Sequence, residues 1–278
     1  MFKDITIGQY YPADSFIHRL DPRLKIIGVM VYIIAAFFVR TYIGMAVLLG
    51  LLIAVVAASR LPVRLILRGM KAIYVLLFIT FIFNAFLSGG QTEIFKLWIF
   101  RLTKEGLQRA VFMAIRLMLL ITGASILTLT TTPISLTDGI ERLLSPLARI
   151  RFPAHEVAMM MTIALRFIPT LMEETDRIIK AQSARGASFD EGGLIKRAKA
   201  VVPLLVPLFV SAFRRADELA MAMEARCYSG GEGRTRLHVL KYGKNDAFAG
   251  VVLALFVGMI VVDNLVFASA FPFIAGVL

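Results

Sequence analysis

Two arginines in this chain lie between small residues, each at the end of a long segment with helical character. The two triplets are Ala184-Arg185-Gly186 and Ala225-Arg226-Cys227. A guanidinium group is a planar fork that pairs bidentately with a carboxylate. Small neighbours allow the backbone of another protein to approach closely. This chemistry is typical of docking onto an acidic groove, and two copies suit a partner with two similar lobes.

An arginine followed by glycine also has a simpler explanation at a helix end. The positive charge complements the helix dipole, and glycine readily adopts the left-handed cap conformation. The second copy favours docking, because the segments before the two triplets also match. The matched pairs at an offset of 41 residues are Asp176 with Asp217, Ala181 with Ala222, and Glu174 with Arg215. We therefore interpret the repeat as two helices that present the same tip.

Catalytic and metal-binding chemistry finds little support in the sequence. The glycines within residues 230–233 are not followed by the Lys-Ser/Thr pair of a phosphate-binding loop. The histidines His18, His155 and His238 lie far apart, and Cys227 is the single cysteine, so neither a metal site nor an intrachain disulfide is expected. The sequence predicts no catalytic residue, no metal and no cofactor, and therefore a protein that is not an enzyme.

The composition is that of an integral membrane protein. Of the 278 residues, 58% are hydrophobic, whereas soluble domains average about 45–50% apolar residues. The net charge of +12 could indicate nucleic-acid binding, but that function needs a recognisable motif or a basic face interleaved with aromatic residues. In a membrane protein, excess Lys and Arg marks cytoplasmic loops. The expected partner is the lipid membrane and not nucleic acid.

The apolar runs predict an all-α integral membrane protein with about five transmembrane helices plus a cytoplasmic block of amphipathic helices. The predicted spans are 26–39, 42–58, 72–88, 110–132 and a last one that begins near residue 246. The first two form a tight hairpin, because an arginine at position 40 would be costly at the centre of one span. The predicted divisions are 1–132 for the N-terminal segment and first four spans, 133–245 for the cytoplasmic block and 246–278 for the last span.

Basic residues predict the orientation in the cell membrane. The loop between the second and third spans contains Arg60, Arg64, Arg68 and Lys71 and no acidic residue. The block 133–245 holds 17 of the 31 Lys and Arg residues. By the positive-inside rule both regions are cytoplasmic, and so is the N-terminus of this multi-pass protein.

Three local expectations concern segments that connect the spans. Arg116 is interpreted as an interfacial arginine that extends outward from near the start of the fourth span, in preference to the alternative of a buried functional charge. Residues 89–109 are expected to form an amphipathic stretch along the membrane surface. Residues 135–149 predict a first amphipathic helix, in which Ser135 and Asp138 resemble a capping box.

Several motifs together resemble the transmembrane T component of energy-coupling factor transporters, a group of vitamin and metal-ion importers of the ABC class. The resembling segments are Leu20-Asp21-Pro22-Arg23, Arg116, Thr131-Thr132-Pro133, Ala164-Leu165-Arg166-Phe167-Ile168-Pro169, Glu174, Ala181-Gln182 and the two arginine triplets. They cover about residues 15–245. The chain departs from the family pattern at Cys227, where the family has glycine. Because cysteine resists positive φ, the backbone or the cap position is expected to differ there.

The resemblance implies that the two arginine tips dock into grooves of two ABC-type ATPase subunits in the cytoplasm, which hydrolyse the ATP. It also implies a separate membrane-embedded substrate-binding subunit, the S component. The predicted surface for this subunit consists of apolar positions in the cytoplasmic block: Met159, Met160, Met161, Leu204 and Leu208. Methionine suits such a surface because its flexible side chain adapts to different partners.

The alternative function is a membrane permease that itself binds and translocates a small substrate. A translocation path needs polar or ionisable groups within the membrane, and the spans offer few besides Arg116 and Asp263. A third possibility, an integral-membrane enzyme, lacks a carboxylate or histidine constellation near the membrane surface. The leading hypothesis is a coupling subunit without an active site of its own.

Overall fold

The computed structural model describes residues 10–71, 73–87, 93–97, 100–146, 153–186, 193–230 and 240–270. Within these ranges the regular secondary structure is helical except for one short β-hairpin. The helices are α1 (Pro22–Phe38), α2 (Tyr42–Ser59), α3 (Val63–Lys71), α4 (Tyr74–Leu87), α5 (Lys104–Thr130), α6 (Pro133–Leu144), α7 (Ala154–Ala184), α8 (Leu194–Ala225) and α9 (Lys244–Ala270). The strands are β1 (Glu93–Leu97) and β2 (Phe100–Thr103).

The contacts divide the chain into two units. One consists of residues 8–139 with 240–278, and the other of residues 140–239 with 1–7. Helix α6 begins in the first unit and ends in the second. The predicted divisions after residues 132 and 245 follow the apolar runs and stay a prediction.

Helices α1, α2, α5 and α9 pack together in the first unit. Their shared core includes Tyr32, Leu48, Leu119, Phe256 and Ile260. Among the described helices, α2, α5 and α9 are each long and apolar enough to cross a membrane, and the bent pair α3–α4 passes the same test when taken as one span. Helix α1 has 17 residues, which is at the lower limit for a transmembrane helix. The predicted all-α membrane fold is confirmed.

The predicted hairpin between the first two spans is confirmed. Helix α1 ends at Phe38, and Thr41 caps α2 by accepting a hydrogen bond from the Gly44 amide at 3.0 Å. The Thr41 hydroxyl in turn donates to the carboxylate of Asp263 in α9. Glycine at position 44 leaves room for this carboxylate, because a Cβ atom there would lie 2.5 Å from Asp263 Oδ2. The turn is thus held by side chains of α9 as well as by its own cap.

The interpretation of Arg116 as an outward-pointing interfacial residue is wrong. Its side chain is buried, with 5% of the residue exposed. The guanidinium donates a hydrogen bond to the Val39 carbonyl and lies over the Phe112 ring at 5.0 Å. The reason is that α5 begins at Lys104, which places Arg116 more than three turns inside the helix. There it satisfies the carbonyl at the end of α1.

Within the expected amphipathic stretch over residues 89–109, the described residues form the β1–β2 hairpin and the start of α5, and its place along the membrane surface stays a prediction. Strands β1 and β2 pair antiparallel, with Leu97 opposite Phe100. Short runs rich in aromatic and branched residues favour strands over a continuous helix. Thr103 then caps α5 by accepting from the Gly106 amide at 3.1 Å. Residues 98 and 99, which include the single tryptophan, lie outside the described residues.

The cap of α6 also differs from expectation. The helix begins at Pro133, and the Thr132 hydroxyl accepts a hydrogen bond from the Ser135 amide at 3.3 Å. Thr132 is therefore the capping residue, three positions before Ser135. Ser135 lies inside the first turn of the helix and cannot cap it. Proline at the first helical position lacks an N–H that would need a partner, which explains the earlier start. Of the predicted range 135–149, residues 147–149 lie outside the described residues.

Candidate coupling site at two helix ends

The candidate site lies at the C-terminal ends of α7 and α8, the two long helices of the second unit. Helix α7 has 31 residues and α8 has 32, and the two pack against each other. Arg215 of α8 and Glu174 of α7 form an ion pair, with Nη2 3.8 Å from Oε2. These residues occupy equivalent positions of the 41-residue repeat. The two helices therefore contact each other at positions that the repeat makes equivalent.

The first tip ends in a left-handed cap. Helix α7 ends at Ala184, and Arg185 has φ −86° and ψ 7°. Gly186 follows with φ +87°, and its amide donates to the Ser183 carbonyl at 3.0 Å. Glycine is favoured here because it has no Cβ atom to oppose a positive φ.

The second tip has the same cap despite its different sequence. Arg226 has φ −94° and ψ 14°, and Cys227 has φ +54°. The amides of Cys227 and Tyr228 donate to the carbonyls of Glu224 at 2.8 Å and Met223 at 3.0 Å. This pair of bonds is the Schellman motif. The expectation that the backbone or the cap position would differ at Cys227 is wrong, because these two backbone hydrogen bonds hold the cysteine in the left-handed region.

Both arginine side chains are available to a partner. All six residues of the two triplets are exposed. Among the described residues, neither guanidinium has a hydrogen-bond or ion-pair partner, while backbone amides make the caps. The arginines are therefore not needed as hydrogen-bonding caps. Two exposed, positively charged forks on matching backbone turns are the geometry expected of a paired docking site.

Substitutions at Cys227 should test whether its positive φ matters. Cys227→Gly is expected to stabilise the cap by about 1 kcal/mol, because glycine adopts this conformation without the penalty of a Cβ atom. Cys227→Val is expected to destabilise it, since a β-branched side chain strongly opposes positive φ. Thermal unfolding of the purified protein measures both effects. Ser229→Val, at an exposed position two residues later, is the control and should change little. Equal unfolding temperatures for the glycine and valine variants would contradict the cap geometry.

The predicted apolar surface is only partly exposed. On α7, Met160 and Met161 are exposed and Met159 is half-buried. On α8, Leu204 is buried, with 8% exposed, and Leu208 is half-buried. Leu204 therefore faces its own chain and does not belong to an exposed surface, whereas Leu208 is partly accessible. The exposed apolar side chains of α8 are Val201, Val202, Leu205, Val206, Phe209, Val210 and Phe213.

Two of the resembling motifs meet in the first unit. The Asp21 carboxylate accepts from the Arg23 amide at 2.9 Å and so caps α1, and the Asp21 amide donates to Asp246 of α9 at 2.8 Å. Lys25 Nζ donates to the Thr130 carbonyl at 3.1 Å, immediately before the Thr131-Thr132-Pro133 motif. These bonds join the starts of α1 and α9 to the end of α5. The motif residues act here as a structural junction at the point from which α6 departs.

Sequence reasoning missed one contact in the second unit. Glu141 of α6 is buried, and its Oε1 lies 3.0 Å from Nδ1 of His155, near the start of α7. The two residues are separated by a loop, and no spacing rule connects them. Within the described part of the chain, no group of three His, Cys, Asp or Glu side chains could hold a metal ion.

The chain thus combines a helical multi-pass membrane unit with two long helices that end in exposed arginine tips. The model of the CbiQ family, described as cobalt transport protein, matches residues 13–237. The chain therefore belongs to this family.

Relatives extend over nearly the whole chain. It is 53% identical over 261 residues to the energy-coupling factor transporter transmembrane protein EcfT of Acidaminococcus fermentans, covering 92% of this chain and 96% of the relative. It is 55% identical over 252 residues to the protein of the same name from Clostridium kluyveri, covering 90% and 93%. The corresponding protein of Ruminiclostridium cellulolyticum is 52% identical over 267 residues, covering 96% and 100%. The family and these relatives make the chain a multi-pass transmembrane transport component.

Proposed function

We propose that this protein couples ATP hydrolysis by two cytoplasmic ATPase subunits to a separate substrate-binding membrane subunit that takes up a vitamin or a metal ion. The observation that carries the proposal is the pair of tips, Arg185 and Arg226. Both follow the last residue of a long helix, both precede a residue in the left-handed conformation, and both are exposed. Two equivalent tips fit two equivalent ATPase lobes.

The chemistry of each tip supports binding to an acidic groove. An arginine donates two parallel hydrogen bonds to one carboxylate, which fixes orientation as well as position. The turn after each arginine is exposed and small, so a groove can enclose it. The ion pair between Glu174 and Arg215 joins the two helices at equivalent positions of the repeat.

The exposed apolar side of α8 supports a second partner, the substrate-binding subunit. Leu205, Val206 and Phe209 are all largely exposed, with Phe209 at 60%. An apolar patch of this kind on a helix is typical of a surface that binds protein or lipid. Met160 and Met161 on α7 add flexible side chains that adapt to different partners.

The permease alternative lacks a supporting observation in the described residues. Arg116 bonds to the Val39 carbonyl, and Asp263 accepts from Thr41. Both intramembrane charges thus hold the turn between α1 and α2. This use gives each of them a structural role.

Isolation of the protein from its native membrane in mild detergent tests the assembly. Two ABC-type ATPases and one small membrane protein are expected in equal proportion to the tagged chain, by mass spectrometry of the intact complex. Transport of a radiolabelled vitamin or metal ion by the tagged chain alone, reconstituted without partners, would instead support the permease.

The proposed orientation places the N-terminus and residues 133–245 in the cytoplasm. In a Cys227→Ser background, Lys241→Cys should react with a maleimide only when the reagent crosses the membrane. Arg40→Cys, at the exposed turn between α1 and α2, should react with an impermeant maleimide in intact cells. The positive-inside rule gives this orientation from the basic loop at residues 60–71. The reverse labelling pattern would contradict it.

A further inference from the structure

The membrane-spanning unit contains an apolar cavity of about 370 Å³ between α1, α2, α5 and α9. It lies where α1 begins and α2 ends. Its apolar wall includes Leu24, Val55, Leu127 and Val252, one from each helix. A volume above about 300 Å³ is in the range of binding sites for organic molecules.

The few polar groups on this wall already have partners. Lys25 Nζ donates to the carbonyls of His18 and Thr130, both at 3.1 Å. The Tyr32 hydroxyl donates to the Leu119 carbonyl at 3.3 Å, and the Thr130 hydroxyl donates to the carbonyl four residues before it. The cavity therefore offers mainly hydrocarbon contacts to an occupant.

A second, polar cavity of about 470 Å³ adjoins the first. Phe16 and Ala58 line both. Ala54 and Ala58 are exposed on α2, so the apolar cavity reaches the surface of the bundle beside small side chains. An extended apolar chain can enter there from the bilayer while its polar end stays in the second cavity.

The polar cavity has an excess positive charge. Arg19 binds Asp14 through two hydrogen bonds, at 2.8 and 2.6 Å, and this bonding and the charge of Arg19 lower the pKa of the Asp14 carboxyl. The pair is therefore neutral as a whole. Arg60 has no hydrogen-bond or ion-pair partner among the described residues, and it is exposed. Its guanidinium is available for an anion.

We propose that the two cavities together bind one anionic phospholipid, with an acyl chain in the apolar cavity and the headgroup phosphate at Arg60. Basic pockets between transmembrane helices on the cytoplasmic side commonly hold anionic lipid headgroups. The apolar cavity suits the acyl chain of such a lipid, and the adjoining positively charged cavity suits its phosphate. The site lies in the first unit alone, so it is independent of the proposed coupling function.

The test compares lipid binding by the full-length protein in nanodiscs of phosphatidylcholine with and without phosphatidylglycerol. Native mass spectrometry is expected to show one phosphatidylglycerol retained per chain in preference to phosphatidylcholine. Arg60→Gln should weaken this binding by about tenfold or more, because it removes a charge-assisted hydrogen bond. Ala58→Leu should weaken it by filling the junction of the cavities. Arg40→Gln removes an exposed arginine at the other end of α2 and should leave binding unchanged.

Two further measurements locate the lipid and its source. A phosphatidylglycerol with a diazirine on its acyl chain is expected to label the residues that line the apolar cavity, which are α1 within residues 24–32, α2 within residues 51–58, α5 within residues 123–130 and α9 within residues 248–253. Glycerol phosphate, which lacks acyl chains, should not compete. Equal retention of the two phospholipids, unchanged binding by Arg60→Gln, labelling confined to other helices, or competition by glycerol phosphate would each overturn the proposal.

Discussion

Replacement of both tip arginines by alanine is expected to abolish ATP-driven uptake and to release the ATPase subunits. Each arginine is proposed to bind a carboxylate in a groove that excludes water. Truncation of one partner of such a desolvated charged pair costs about 2–5 kcal/mol. Each single variant, Arg185→Ala or Arg226→Ala, should give a partial defect, because the other tip still holds one lobe. Uptake of labelled substrate and co-purification of the ATPases measure these effects.

Lysine variants distinguish docking from a helix-capping role. A lysine keeps the positive charge that favours a helix C-terminus, an effect of about 0.3–1 kcal/mol, but it lacks the planar fork. Docking therefore predicts that Arg185→Lys with Arg226→Lys remains defective, whereas capping predicts nearly normal uptake. Arg214→Ala, at an exposed position of α8 away from the tip, is the matched control. A double alanine variant that transports like the wild type would contradict docking and support a helix-capping role for both arginines.

The combined change Leu205→Glu with Phe209→Glu is expected to release the substrate-binding subunit while the ATPases stay bound. These side chains are exposed on the apolar part of α8, so the change leaves the packing of this chain intact. An unpaired carboxylate buried in an apolar interface costs several kcal/mol, and two exceed what an ordinary interface tolerates. Co-purification of each partner with the tagged chain gives the result.

Two control variants make this prediction specific to the exposed surface. Ala216→Glu adds the same charge to α8 at an exposed position beyond the apolar run, and it should retain both partners. Leu204→Glu places the charge at a buried position, so it should destabilise the protein itself and lower its yield. Retention of the substrate-binding subunit by the Leu205 and Phe209 variant would contradict the proposed surface.

Much of the candidate site was readable from the sequence because its signals are local. A left-handed cap depends on the few residues at one helix end, so the first triplet predicted its own turn. The repeat at an offset of 41 residues also predicted that α7 and α8 end alike. At Cys227, however, the residue type argued against the observed conformation. The hydrogen bonds to Glu224 and Met223, which outweigh the preference of the side chain, are visible only in the structure.

The exposed apolar side chains of α8 could not be identified from the sequence. The run from Val201 to Phe209 is almost continuously apolar, so it has no periodicity from which the buried side of the helix can be inferred. Tertiary packing decides which residues are covered, and Leu204 is buried whereas Leu205 is exposed. The choice of interface residues therefore required the tertiary structure.

The sequence by itself determined the membrane class, the hairpin at Arg40-Thr41 and the two matching tips, because composition, charge and cap chemistry act over short stretches of chain. Only the tertiary structure decided the role of Arg116. Its burial depends on where α5 begins and on the Val39 carbonyl, 77 residues away in sequence. The apolar cavity was likewise invisible in the sequence, since α1, α2, α5 and α9 must meet to enclose it.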